Sequence, residues 1–337
     1  MAGAAVLLAG FAASQAKADA VDDFYKGKQT IMVVSAAAGA GYDALGRVVA
    51  RHMPRFMPTN PTMIVQNMPG AAGLTAASWL YNAAPKDGTV VALLQRNALT
   101  AKLIGREGAR FDPAQFNWVG NISRETSVVV AWKDSPIQTT DGLFKSEMVI
   151  GGTSPANDTV SVPRLLNAMI GTKFKIISGY KSTEDIVLAM QRGEVQGMGN
   201  WGLSNVLSRH AEELNDKQLA ILLQVAETRV PALPNVPSAL EFVKNDQDRE
   251  VLQLFLAQKS IARPVAAPPG VPAERIAALR KAFMAIFDDA QFKADAEKAG
   301  LEIEPSSADE INRIMGLINA TPPDVAKRFG DIIDPKG

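Results

Sequence analysis

Thr30-Ile31-Met32-Val33-Val34-Ser35-Ala36-Ala37-Ala38-Gly39-Ala40-Gly41-Tyr42-Asp43 contains a strand, a turn and the start of a helix in fourteen residues. Thr30 to Val34 is a short continuous apolar run that reads as a buried strand, Ala38 to Asp43 is a glycine-rich turn, and Asp43 to Met53 follows with helical spacing. The same order then repeats. Thr62 to Gln66 reads as a strand, Asn67-Met68-Pro69-Gly70-Ala71-Ala72-Gly73 as a turn, Gly73 to Tyr81 as a helix, and Thr89 to Leu94 as a third strand. Strands leading through short turns into helices predict an α/β domain with a parallel sheet. Ligands of such sheets bind beyond the carboxyl ends of the strands, which directs attention to the two glycine-rich turns.

A second α/β set begins after Asn121. Ser127 to Trp132 and Met148 to Ile150 read as strands, followed by the polar loop Gly151 to Thr159, a helix from about Val162 to Ile170 and the strand Phe174 to Ile177. The turn Ser178 to Lys181, a helix over Glu184–Arg192 and the strand Ala220 to Val225 complete the set. Pro231, Pro234 and Pro237 punctuate a rigid connector. Pro264 to Pro272 reads as a proline-dense loop before two amphipathic helices, Ala273 to Asp288 and Ala308 to Ile318. The expected division is therefore a first lobe from residues 21–125 plus 256–337, and a second lobe from 126–255.

Composition narrows the chemistry. The chain has 337 residues, 35 Lys+Arg against 35 Asp+Glu, two His and no Cys. Its length suits about two domains. A balanced charge argues against nucleic-acid binding, which needs a basic footprint to neutralise phosphates. Without cysteine there is no disulfide, thiolate nucleophile, iron–sulfur cluster or acylated anchor. With His52 and His210 alone, a multi-histidine metal site is not expected, nor is a cofactor. His52, between Arg51 and Arg55, reads as a solvated or capping residue.

Residues 1–20 are expected to be an export signal. Met1 to Ala16 is uncharged and apolar, shorter than the roughly 20 residues that span a bilayer, and Ala16-Lys17-Ala18 and Ala18-Asp19-Ala20 offer A-x-A cleavage patterns. The basic residues that usually precede the apolar core are missing, which fits a leader shortened at its start. The alternative is an amphipathic or buried N-terminal helix. An exported mature protein would be soluble and, lacking cysteine, free of a lipid anchor.

Laid in order, these segments resemble the extracytoplasmic solute receptors of tripartite tricarboxylate transporters, the Bug-type (TctC-like) receptors. The family pattern of strand, Pro-Ala-Gly-Gly-Gly-Thr-Asp and helix is matched at Ala37 to Asp43, with Arg47 at the helix arginine. Gln66-Asn67-Met68-Pro69-Gly70-Ala71-Ala72-Gly73 matches the second family loop. Further landmarks are Ala84-Pro85-Lys86-Asp87-Gly88-Thr89, Phe111-Asp112-Pro113, Tyr180-Lys181, Leu233-Pro234-Asn235-Val236-Pro237 and Ala267-Pro268-Pro269-Gly270-Val271-Pro272. The set is collinear over nearly the whole mature chain. Two departures stand out. Ser154-Pro155-Ala156-Asn157 replaces a glycine-rich second-lobe turn, and Val195-Gln196-Gly197-Met198-Gly199-Asn200 carries amides where the family has acids.

The resemblance implies a two-lobed periplasmic binding protein fold (type II-like), two α/β lobes joined by crossover strands. It implies a monomeric, non-enzymatic periplasmic receptor that takes a small organic acid, a mono- or dicarboxylate, in the interlobe cleft. It also implies delivery to the membrane permease subunits of a tripartite tricarboxylate transporter. A ligand sensor that signals to a kinase is an alternative, and an enzyme reusing the fold is another.

The residues support an anion site independently. Glycine-rich turns that open helices expose backbone N–H groups, and the helix N-terminus adds roughly half a positive charge. Ala38, Gly39, Ala40, Gly41 and Tyr42 from the first turn, with Asn67, Pro69, Gly70, Ala71, Ala72 and Gly73 from the second, are the expected carboxylate-binding elements. Asp43 reads as the helix N-cap or, alternatively, as a ligand contact. On the second lobe, Thr153, Ser154, Asn157 and Asp158 offer polar partners for the ligand's other end, or form a polar surface turn. Tyr180 and Asn200 follow strands and are candidates to close over the ligand. Nucleotide motifs fail on spacing, since Gly39 to Gly46 reads G-x-G-x4-G and no Walker lysine follows.

Overall fold

The computed structural model describes residues 20–154 and 157–333; the expected leader, through residue 19, lies outside them. The chain divides into two compact units. The first runs to Arg124 and resumes over Ile261–Asn319, and the second covers Glu125–Ser260 and resumes at Ala320. In chain order the strands are β1 (Gln29–Val34), β2 (Thr62–Asn67), β3 (Val90–Leu93), β4 (Asn117–Asn121), β5 (Ser127–Trp132), β6 (Met148–Gly152), β7 (Phe174–Ser178), β8 (Gly197–Gly202), β9 (Leu219–Val225), β10 (Pro264–Ala267) and β11 (Ser306–Ser307).

The first unit is built on a sheet of order β11-β4-β10-β3-β1-β2. β1 pairs in parallel with both β2 and β3, with Val34 opposite Asn67 on one side and Leu93 on the other. Three strands therefore end in line, and the loops that leave them share one end of the sheet. β1 is apolar because helices cover it. Leu45, Val48 and Val49 of helix Gly41–His52 are buried at helical spacing in the same core as Met32 and Val34.

The expected parallel pairing holds at β1, β2 and β3, and the sheet is mixed beyond them because the chain re-enters the first unit from the opposite direction. Pro264 to Ala267, expected as loop, is the fully buried strand β10, antiparallel to β3 and β4. Proline is tolerated at a strand's first residue, where its missing N–H costs least. The Pro264 carbonyl is used, accepting from the Leu94 N–H at 2.9 Å.

His52 differs from its expected solvated position. It is buried on the inner face of its helix, with Nε2 2.8 Å from Asp295 Oδ2, Nδ1 2.7 Å from Arg55 Nη2 and its ring edge-on to Phe292. Asp295 and Phe292 come from more than 200 residues downstream, which local sequence does not reveal.

The second unit has a sheet of order β7-β6-β8-β5-β9. β6 is parallel to β7 and β8, whereas β5 is antiparallel to β8 and β9. Helix Asp158–Ile170 extends four residues earlier than its apolar pattern suggested, because Asn157 caps it. The last helix, Pro323–Ile333, also lies in this unit, although the first lobe was expected to reach residue 337. Val325, Ala326 and Phe329 form its buried face, and Arg328 Nη2 sits 2.5 Å from Asp248 Oδ1 on helix Asp246–Ser260.

Candidate functional site

In the first unit, the turn after β1 and the turn after β2 are joined by side chains. Asp43 is the third residue of helix Gly41–His52 rather than its N-cap; the cap position is Ala40, which has no side chain able to cap. The Asp43 carboxylate instead accepts from the Gly39 N–H at 2.8 Å, Arg47 Nε at 3.0 Å and Asn67 Nδ2 at 2.9 Å. The Arg47 hydrogen bond, with those from Gly39 and Asn67, outweighs burial and lowers its pKa to about 2. Asp43 thus braces the turn from behind, and its oxygens are already engaged. Asn67 reaches further, donating to the Ala36 carbonyl at 3.1 Å and accepting from Arg47 Nη2 at 3.3 Å.

With Asp43 behind the turn, the N–H groups at the start of helix Gly41–His52 have no side-chain cap from Ala40. Ala38, Gly39, Ala40 and Gly41 are all exposed. Tyr42 is half-buried and points to a different task. Its hydroxyl donates to the Ala262 carbonyl at 2.8 Å, and the Arg263 guanidinium lies 4.5 Å from its ring centre.

The second turn is strained. Gly70, Ala71, Ala72 and Gly73 are four consecutive residues with φ of 131°, 46°, 52° and 91°. Two alanines in the left-handed region cost of order 1–3 kcal/mol each, and such strain gathers at ligand clamps. The Gly73 N–H closes this turn onto the Gly70 carbonyl at 2.9 Å. Pro69 to Ala72 are exposed while Gly73 is buried, and helix Leu74–Asn82 begins at Gly73 without a side-chain cap.

The second unit carries its own concavity of about 750 Å³, a size suited to a small ligand. Thr153, Ser154, Asn157 and Tyr180 line it, and so do Ser178 and Ser182, which sequence reasoning passed over. Both helices that open there are capped by their own residues. Asn157 Oδ1 accepts from the Thr159 N–H at 3.0 Å, and Ser182 with Asp185 forms a reciprocal capping box. Thr153 is tied to the same loop through Thr159 Oγ1 at 2.9 Å.

Asp158 and Asn200 do not line that concavity. They meet at Lys259, whose Nζ lies 3.9 Å from Asp158 Oδ2 and 3.4 Å from Asn200 Oδ1. Ser127 Oγ at 2.8 Å and Glu125 Oε1 at 3.3 Å complete the surroundings of this buried ammonium. Lys259 escaped the sequence reading because a lysine in the last turn of a helix, here Asp246–Ser260, carries no local sign of burial. A second residue also escaped it: Gln95, in the loop after β3, touches the first two loops, and only the sheet register brings it there.

Among the described residues, no helix is long and apolar enough to cross a membrane. No protein-family model matches the chain. Over 251 residues it is 25% identical to the UPF0065 protein in the TAR-I ttuE-ttuC' intergenic region of Agrobacterium vitis, covering 72% of this chain and 69% of that one. Its structure is similar to that of a TctC solute binding protein from Polaromonas without ligand, with a TM-score of 0.71, 19% identity and coverage of 89% and 98% of the two chains. It is also similar to an R. palustris protein with adipate, at a TM-score of 0.61, 19% identity and coverage of 90% and 98%. The chain thus resembles the TctC-like, Bug-type periplasmic solute-binding proteins and has their fold of two α/β units.

Proposed function

We propose that this chain is an exported, periplasmic receptor that captures a small mono- or dicarboxylate and delivers it to the permease subunits of a tripartite tricarboxylate-type transporter. The observation that carries the reading is the start of helix Gly41–His52, exposed and without a capping side chain, beside the left-handed run Gly70 to Gly73. Backbone N–H groups at both turns supply the positive potential, so the ligand is held without a net basic charge on the protein. Water bridging at such turns tolerates acids of related shape. The adipate of the R. palustris protein supports the substrate class.

A thermal-shift screen of the chain against mono- and dicarboxylates tests this. An acid at 100 times its Kd adds about 2.7 kcal/mol to the native state, roughly 5–10 °C for a unit of this size. No shift with a broad acid panel, together with a shift from neutral sugars or amines, would overturn the carboxylate reading.

A further inference from the structure

The loop after β3, Leu94-Gln95-Arg96, has none of the glycine that marks the other two. Its position is fixed by register: β3 and β2 flank β1, and Leu93 and Asn67 both stand opposite Val34. Gln95 there makes two contacts. Its Nε2 donates to the Ser35 carbonyl at 2.8 Å, at the opening of the first turn. Ser35 is buried and itself clamped, its N–H and hydroxyl both donating to the Leu93 carbonyl at 3.1 and 2.9 Å. The stem of Gln95 lies against Gly73, at the close of the second turn. A Cβ on residue 73 would stand 2.9 Å from Gln95 Cβ and 3.2 Å from Cγ.

We propose that Gln95 is a positioning residue of the acid site, one half-buried amide that sets the spacing between the two backbone turns. The inference rests on the proposed function for the word "acid", and on geometry alone for the tie between the turns. The residue type is specific to the task. Leucine fills the space beside Gly73 but cannot donate to Ser35. Glutamate at neutral pH has no donor and brings a negative charge toward an anion site, and asparagine is a methylene too short to make both contacts.

The test uses the full chain with Gln95→Leu and Gln95→Met, two variants of similar volume, so that one serves if the other folds poorly. Hydrogen exchange is followed at the bonded amides of Gly39 and Gly73, which close the two turns onto Asp43 and Gly70. Exchange at both is expected to quicken at least fivefold, with the amides of β5 to β9 unchanged. Adipate, titrated calorimetrically, is expected to bind at least tenfold more weakly while the melting temperature moves little. Unchanged exchange at both turns, or an equal rise throughout the first unit that follows a lower melting temperature, would overturn the proposal and leave Gln95 as packing. If no acid binds the unmodified protein, the receptor reading fails, while the exchange result still decides whether Gln95 ties the turns.

Discussion

Asn67, the last residue of β2, donates its side-chain amide to Asp43 Oδ1 at 2.9 Å across the gap between two loops. The pair converts two separate strand–turn–helix units into one platform. Asp43 holds the first turn through the Gly39 N–H, and Asn67 holds the Ala36 carbonyl of the same turn. The exposed backbone in front of them is therefore pre-shaped before a ligand arrives, which lowers the ordering cost of binding.

Asp43 makes stability depend on acid in a defined window. Its folded pKa of about 2 lies below its ordinary 3.8, so its contribution is complete above 3.8 and is lost as pH falls toward about 2. The stability difference between the unmodified protein and Asp43→Asn, from urea denaturation, is expected to shrink across that window. A difference that stays constant there would show that another group carries the effect.

Gly41 separates binding from folding better than Gly70 does. A Cβ at residue 41 meets nothing within 4 Å, whereas one at Gly70 would stand 2.7 Å from Thr75 Oγ1 at a φ that side chains rarely adopt. Gly41→Val is expected to weaken acid binding at least tenfold, because bulk now stands at the uncapped helix start. Circular dichroism should show a melting temperature within a few degrees of the parent, and a large drop would return Gly41 to a purely structural role.

Lys259→Met should be severe. Removing the ammonium leaves Glu125 and Asp158 facing each other's charge beside Ser127 and Asn200. Breaking a buried pair by deleting one partner costs about 3–5 kcal/mol. Guanidinium unfolding of the second unit's tryptophan signal is the measurement, and a loss under about 1 kcal/mol would mean that water already solvates the cluster.

Asn157 has a structural role that binding assays must be read against. Its side chain caps helix Asp158–Ile170, and Asn157→Ala is expected to cost about 1 kcal/mol for the lost cap. Asn157→Ser, which restores a capping oxygen, should recover most of that stability. If acid affinity also returns with serine, the cap explains both effects; if it does not, the amide itself meets the ligand.

The strand–turn–helix units around β1 and β2 were legible because their signals are local. An apolar run, a glycine-rich turn and helical spacing occupy adjacent residues, and they locate the two turns correctly. The helix cap was misjudged by a few positions: the acid in the first turn reads as a cap, yet Asp43 reaches back to Gly39 from the third helical residue. Pro264 to Ala267 reads as a loop by composition, and it becomes a strand because a gap between β3 and β4 pairs it on both edges.

Sequence alone determined that the chain builds α/β units with backbone-rich turns at strand ends, since periodicity and glycine placement are properties of neighbouring residues. Which side chains brace those turns is set by packing in three dimensions. Asn67 meets Asp43, Gln95 meets Ser35 and Gly73, and Asp158 and Asn200 meet Lys259 because strand register and helix packing bring them together. Those meetings depend on distances in space, which spacing along the chain does not encode.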